Sequence, residues 1–202
     1  MYSNICKQPQ GNLFRDVAQF GSAPVLGTGG RRFKSCHPDA NEKEQSLTDL
    51  VINPMTAEDV QSVIEHVTSV SLASPHLDHP NIGAWLNGEY NPAEVLSKLE
   101  TSICLIVRHD NNIVGTGFID TTTGYISGVY VSNRGHGTGR LIVDKLLEKA
   151  TAAGTKHFTA SVHPGSKAMQ HVLSTSGFTA THVDPHVVYY VGTDFMIWEK
   201  SV

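Results

Sequence analysis

The residues from Arg134 to Arg140 have the types and spacing of an anion-binding loop. Glycine stands at positions 135, 137 and 139, after the strand-like residues 128–131 and before an amphipathic stretch that we expect to open a helix at Arg140. Glycine permits positive φ and close approach of the backbone, so several N–H groups can converge on one phosphate. The N-terminus of the following helix adds unpaired N–H groups and the positive end of its dipole. We expect this loop to bind a pyrophosphate; the alternative is an ordinary glycine-rich turn.

Two other nucleotide-binding loops do not fit the residues that follow. A P-loop needs Lys and then Ser or Thr after its last glycine, where this chain has Arg140 and Leu141. A dinucleotide fingerprint needs an acidic residue about 20 positions further on, whereas that region, residues 156–158, reads Lys-His-Phe. The remaining pattern, Arg-x-x-Gly-x-Gly, resembles that of the GNAT superfamily of N-acetyltransferases, whose loop binds the pyrophosphate of acetyl-coenzyme A.

The resemblance implies acetyl-CoA as co-substrate and assigns residues to it. Backbone groups of Val129, Tyr130 and Val131 would hold the pantetheine arm and the acetyl carbonyl. The pyrophosphate would lie against Arg134, Gly135, His136, Gly137, Thr138, Gly139 and Arg140. Family members commonly have a longer segment before the arginine, where this chain has only Ser132 and Asn133.

A second family signature, Asn-x-x-Ala-x-x-x-Tyr-x-x-x-Gly-Phe, falls on Ser166, Met169, Leu173, Gly177 and Phe178. Its Asn and Tyr are both replaced, so Ser166 takes the donor-binding position and the usual general acid is missing. Loss of an acid costs about 100- to 10,000-fold in rate, but a thiol with a pKa near 8.5 leaves fairly readily.

Other side chains are candidates for the missing proton transfers. His163 and Tyr189 are the catalytic candidates, with surface or core placement as the alternative for each. His182, His186 and Tyr190 are further candidates near the last hairpin. Asp120 and Glu89 are weaker candidates for the base, and water or a histidine relay is an alternative.

The elements that must position these groups follow from hydrophobic periodicity. Residues 102–108 and 113–119 form a hairpin, and residues 125–131 and 157–162 form strands. A helix starts after Thr56 and Asp59, Asn91 caps another, Gly154 ends the helix after the glycine loop, and a further helix covers residues 166–174. Residues 48–53 and 187–198 supply the first and last strands.

This order predicts an α/β (α+β) fold that resembles the GNAT arrangement over about residues 48–200. We expect a mixed, mostly antiparallel central sheet of about seven strands flanked by about four helices.

Residues 1–46 are predicted to be a non-native or disordered extension, and residues 47–202 the N-acetyltransferase domain. Permitted codons for residues 15–39 begin with CGGGATG and end with its reverse complement, CATCCCG. Between them lie two hairpins with seven-base loops, so the segment resembles a translated proline transfer-RNA gene. We expect the true start to lie downstream, at Leu47, Leu50 or Val51.

Composition narrows the classes of function. From Leu47 onward, 9 Lys and Arg stand against 15 Asp and Glu, which argues against nucleic-acid partners. No run is long and apolar enough to span a bilayer. Two of the 3 cysteines lie in the extension, which excludes a disulfide framework and fits a cytoplasmic location. Histidines 76 and 79 and residues 182–186 have spacings that a metal could use, but no cysteine cluster supports one, and we expect none.

We therefore expect an acetyl-CoA-dependent N-acetyltransferase that acts on a small-molecule amine, with protein amines as alternative acceptors and no nucleic-acid or membrane partner. The alternative is an acyl-CoA-binding sensor module without turnover, suggested by Leu173 and Ser166. Oligomeric state stays open, with a homodimer among the alternatives.

Overall fold

A computed structural model of the chain describes residues 49–75, 82–184 and 194–202. The strands in these ranges are β1 Val51–Pro54, β2 Ser102–His109, β3 Asn112–Asp120, β4 Tyr125–Val131, β5 His157–Val162, β6 Thr179–Asp184 and β7 Phe195–Ser201. The α-helices are α1 Val60–Leu72, α2 Ile82–Glu89, α3 Pro92–Thr101, α4 Thr138–Ala152 and α5 Lys167–Thr175, and a short 3-10 helix, Ala57–Asp59, precedes α1.

The strands form one sheet in the order β1-β2-β3-β4-β5-β7-β6. Among the described strands, only β4 and β5 run parallel to each other. The predicted mixed, mostly antiparallel sheet of seven strands is therefore confirmed. The described residues form five α-helices, one more than expected, because the short α2 joins the four longer ones.

Local sequence signals produce the predicted helix start, cap and turn. The Asp59 carboxylate accepts hydrogen bonds from the Thr56 backbone N–H and hydroxyl, both at 2.8 Å. Asn91 caps α3 by accepting a 3.0 Å bond from the Glu94 backbone N–H. Residues 110 and 111 take positive φ, 48° and 66°, in the turn that joins β2 to β3. These short-range signals set where the first helical segment and α3 begin and where the chain turns from β2 to β3.

Three predicted boundaries are wrong. α4 begins at Thr138, two residues before Arg140, because Gly137 takes a φ of 76° as N-cap and its carbonyl accepts the Leu141 N–H at 3.0 Å. The last described strand, β7, runs from Phe195 to Ser201, so the predicted end at residue 198 is wrong; the predicted start at residue 187 lies outside the described residues. β1 begins at Val51.

The sheet is covered on both faces by helices. One buried cluster gathers the side chains between the sheet and α4 and α5, and the other gathers those beneath α1, α2 and α3. On the first face α4 lies very close to β3, because β3 carries Gly115 and Gly117 there. A Cβ on Gly115 would lie 2.8 Å from Ile142 Cδ1. This close approach sets the position of the α4 N-terminus.

Candidate active site

A cleft opens in the middle of the sheet, where β4 and β5 separate. The two strands pair only at Tyr125↔Thr159 and Ile126↔Ala160. At the same point the register of β4 against β3 passes from Ile126↔Ile119 to Gly128↔Phe118, so Ser127 is one extra residue on β4. A bulge of this kind bends its strand, and here it turns β4 away from β5. The remaining length of β4 thus presents one edge to the cleft.

Peptide groups of Val129 and Val131 point into that cleft. The Ser132 N–H donates to the Val114 carbonyl at 3.1 Å, and hydrogen-bonded pairs alternate along an antiparallel ladder. Tyr130 lies two residues before Ser132, so its peptide groups also point towards β3, at Thr116. Val129 and Val131 therefore direct their peptide groups to the other edge of β4, which faces the cleft. Of the three residues predicted to bind pantetheine, Val129 and Val131 offer backbone groups, and Tyr130 does not.

The glycine loop closes one end of the cleft. Gly135 and Gly137 have φ of 88° and 76°, values that favour glycine. The first N–H groups of α4, at Thr138, Gly139 and Arg140, have no partner within the helix, because the first four of any α-helix lack one. Such unpaired groups and the helix dipole attract anions, and pyrophosphate binding at this loop stays a prediction.

The cleft has a volume of about 610 Å³ and a cationic rim. Arg134, Arg140 and Lys167 all line it, whereas the described residues that line it include no Asp or Glu. Among the predicted donor-binding residues, those lining the cleft are Val129, Tyr130, Val131, Arg134, Gly135, Gly137, Thr138, Gly139, Arg140 and Ser166. His136 belongs to the loop but does not line the cleft. The electrostatics suit a ligand with several phosphates.

Arg134 also ties the loop to the end of α1. Its guanidinium donates a 2.8 Å hydrogen bond to the Ser74 hydroxyl, which in turn donates to the Val70 carbonyl at 2.8 Å. Ser74 is buried and lines the same cleft. This contact, which spans sixty positions of sequence, orients the Arg134 side chain towards the cleft, and no sequence pattern signals it.

His163 directly follows β5, as predicted, but its bonding limits its chemistry. Its Nδ1 accepts a 2.9 Å hydrogen bond from the Gly165 N–H, so the neutral ring carries its proton on Nε2. Burial lowers the pKa of His163, and its ring packs edge-on against Phe195 at 5.7 Å. Because the Nδ1 lone pair already accepts the Gly165 N–H, this bonding does not favour a role for His163 as base.

The other catalytic candidates lie in different settings. Tyr189, His186 and Tyr190 fall outside the described residues. His182 is exposed on the edge strand β6. Asp120 lies at the end of β3 away from the cleft and accepts bonds from the Thr122 and Thr123 N–H groups, which lower the pKa of its carboxyl.

Glu89 forms an ion pair with Lys98 at 3.2 Å. Within the described ranges, no group of three or more His, Cys, Asp or Glu side chains is arranged to hold a metal ion. None of the helices in those ranges is long and apolar enough to cross a membrane.

The sequence of this region matches a known protein family. The sequence model of the acetyltransferase (GNAT) family matches residues 74–178, from the end of α1 to the start of β6. The chain belongs to the acetyltransferase (GNAT) family. In this GNAT protein the position of the family tyrosine, Leu173, is fully buried in the core cluster under α5.

Solved structures share the fold of this GNAT protein at low sequence identity. PaiA N-acetyltransferase of Thermoplasma acidophilum, solved with coenzyme A, is 16% identical with a TM-score of 0.63, over 76% of this chain and 99% of that one. YncA, a putative acetyltransferase from Salmonella typhimurium solved with acetyl-CoA, is 17% identical with a TM-score of 0.56, over 76% and 94%.

A phosphinothricin acetyltransferase of Sinorhizobium meliloti, solved with acetyl-CoA, is 14% identical with a TM-score of 0.60, over 76% and 89%. Curated proteins give no match to this chain.

Proposed function

We propose that this protein is an acetyl-CoA-dependent N-acetyltransferase that transfers acetyl to a primary amine on a small molecule. One observation carries the proposal: an open β4 edge leads to a glycine loop and a helix N-terminus in a cleft with a cationic rim. A long ligand with an amide-rich arm and a pyrophosphate at one end suits these two surfaces. Three solved structures of the same fold contain coenzyme A or acetyl-CoA.

The residues divide the work of binding. Peptide groups of Val129 and Val131 bind the amides of the pantetheine arm and the acetyl carbonyl oxygen. The first N–H groups of α4 bind the pyrophosphate, and Arg134 and Arg140 neutralise its charge. Ser166, the N-cap of α5, lies across the cleft from β4.

The transfer then needs few protein groups. The neutral amine attacks the thioester carbon, the C–S bond breaks, the amine nitrogen loses a proton, and the thiolate takes one up. Leu173 is buried and apolar, so the family acid has no equivalent there, and we assign the final proton to solvent. A thiol pKa near 8.5 makes that departure tolerable. Cys104 is a free thiol, and free cysteines are usual in the reducing cytoplasm, where we place the protein.

A second candidate is an acyl-CoA-binding module without turnover, which the buried Leu173 favours. Release of free thiol from acetyl-CoA in the presence of a panel of primary amines separates the two functions. An enzyme releases thiol at a rate that rises with the concentration of one of the amines, whereas a binding module releases no thiol with any amine.

The matched variants for this assay are Gly139→Val and Gly83→Val. Each glycine is the second residue of its helix. A Cβ at Gly139 would lie 3.6 Å from Val172 and 3.8 Å from Val131, which both line the cleft, whereas a Cβ at Gly83 meets no atom of the described residues within 4 Å. We expect Gly139→Val to abolish thiol release and Gly83→Val to leave acetyl-CoA binding unchanged. Equal activity in both would contradict the proposed donor site.

A further inference from the structure

Two tyrosine hydroxyls meet beside β4, on the face of the sheet that α1, α2 and α3 cover. The Tyr130 and Tyr90 hydroxyl oxygens are 2.8 Å apart, and their rings pack edge-on with centroids 5.5 Å apart. Tyr130 extends from β4 itself, while Tyr90 follows α2 and is 3% exposed. The buried Tyr90 therefore fixes the orientation of the Tyr130 phenol.

The pair occupies the space that a side chain at position 128 would fill. A Cβ on Gly128 would lie 2.6 Å from Tyr130 Cε2 and 2.8 Å from the Tyr90 hydroxyl oxygen. The phenols therefore lie directly against the β4 backbone, next to the bulge where β4 leaves β5. Val129, whose peptide groups point into the cleft, is the next residue along. Tyr130 is thus adjacent along β4 to Val129 and Val131, whose peptide groups we assign to the pantetheine arm and the acetyl carbonyl.

Tyr130 belongs both to the cleft lining and to the cluster that packs beneath α1, α2 and α3. It is half-buried, and it lines the cleft together with Val70 and Ser74 of α1. Those two residues come just before the segment that joins α1 to α2. The face with the phenols is separated by the sheet from the face that α4 and α5 cover. Tyr130 is therefore a residue at which the cleft adjoins the sheet face that α1, α2 and α3 cover.

We propose that the Tyr130 hydroxyl oxygen binds the acceptor amine through an N–H···O hydrogen bond, and that Tyr90 is the positioning residue that holds it. This inference rests on the proposed acetyltransferase function. It deepens that function by assigning the amine to a phenolic, uncharged contact rather than to a carboxylate. A phenol oxygen accepts such a bond without holding the amine in its protonated, unreactive form.

The test compares Tyr130→Phe, Tyr90→Phe and Tyr125→Phe in steady-state kinetics with the best amine of the panel. Tyr125 lies at the far end of β4 and is 37% exposed, so it is the matched control. Loss of one hydrogen bond predicts that kcat/KM for the amine falls about 3- to 10-fold in Tyr130→Phe and in Tyr90→Phe. The KM for acetyl-CoA and the melting shift given by acetyl-CoA stay unchanged in both, and Tyr125→Phe resembles the wild type.

A purely structural role for the pair gives a different pattern. KM for acetyl-CoA and KM for the amine would change together, which would overturn the inference. Unchanged kcat/KM for the amine in an active Tyr130→Phe protein would also overturn it, while leaving the proposed function standing. A wild-type protein that releases no thiol with any amine would overturn the proposed function, and this inference with it.

Discussion

Replacement of Gly117 by alanine should displace α4 and, with it, the anion-binding N-terminus. Gly117 lies on β3 directly beneath α4, and a Cβ there would overlap Ile142 Cγ2 and come within 3.1 Å of Leu146 Cδ1. Ile142 and Leu146 are both completely buried, so neither side chain has room to turn away. The helix must therefore move outward from the sheet.

The size of the effect follows from two opposing terms. Overpacking of a core costs about 1–3 kcal/mol, and replacing a strand glycine by alanine recovers about 0.5–1 kcal/mol. We expect a net loss of about 1–2 kcal/mol in the free energy of unfolding. For a domain of this size that corresponds to a fall of about 2–8 °C in Tm. The affinity for acetyl-CoA should fall as well, because the helix N-terminus shifts.

Thermal unfolding of Gly117→Ala, with Gly83→Ala as control, measures this loss. Gly83 lies in α2, where a Cβ would meet no other described residue within 4 Å, so its replacement should gain about 0.5–1 kcal/mol. Adding Ile142→Ala to Gly117→Ala removes the overlapping Cγ2. The double variant should therefore lose at least about 1 kcal/mol less unfolding free energy than the two single variants lose together. An unchanged Tm in Gly117→Ala, or strict additivity in the double variant, would refute the reasoning.

Four further predictions concern stability and binding. The Thr116 hydroxyl is fully buried without a hydrogen-bond partner among the described residues, so Thr116→Val should raise Tm by about 2–4 °C; a lower Tm would show that the hydroxyl has a partner. Ser74→Ala removes the acceptor that orients Arg134 and should weaken acetyl-CoA binding about 3- to 10-fold by calorimetry, with an unchanged Kd as the contrary result. Burial lowers the pKa of His66 below its ordinary 6.5, so the unfolded chain takes up a proton at higher pH than the folded one, and stability is lost as pH falls below about 6.5. His66→Gln should flatten this pH dependence of the unfolding free energy, measured by denaturant titration. An equal pH dependence in both proteins would contradict the prediction. A chain that begins at Leu47 should match the full chain in Tm and in acetyl-CoA binding, and failure of the shorter chain to fold would contradict the proposed domain boundary.

Much of the framework could be predicted because it depends on local signals. The strands at residues 125–131 and 157–162 have the predicted bounds, since apolar alternation and flanking turns mark both ends of each. The glycine loop could be assigned to a helix start for the same reason. Its boundary was misplaced because Gly137, with its positive φ, serves as N-cap, and a glycine at that position has no side-chain signal.

The contacts that shape the candidate site depend on residues far apart in sequence. The bulge at Ser127 exists only through the pairing of β4 with β3, so the direction of the Tyr130 side chain could not be read from alternation alone. The bond from Arg134 to Ser74 and the meeting of Tyr90 with Tyr130 follow from the packing of α1 and α2 on the sheet. Sequence periodicity specifies that a helix is amphipathic, but it does not specify which strand residue lies beneath each turn.

The most direct test of the proposed donor site is the melting temperature of the full chain with and without acetyl-CoA. At 100 times the dissociation constant, binding should add about 2.7 kcal/mol, or about 5–11 °C in Tm. Gly139→Val should lose this shift, and Gly83→Val should retain it. A folded wild-type protein that shows no shift, or a Gly139→Val protein that shows the full shift, would contradict the assignment of the cleft to acetyl-CoA.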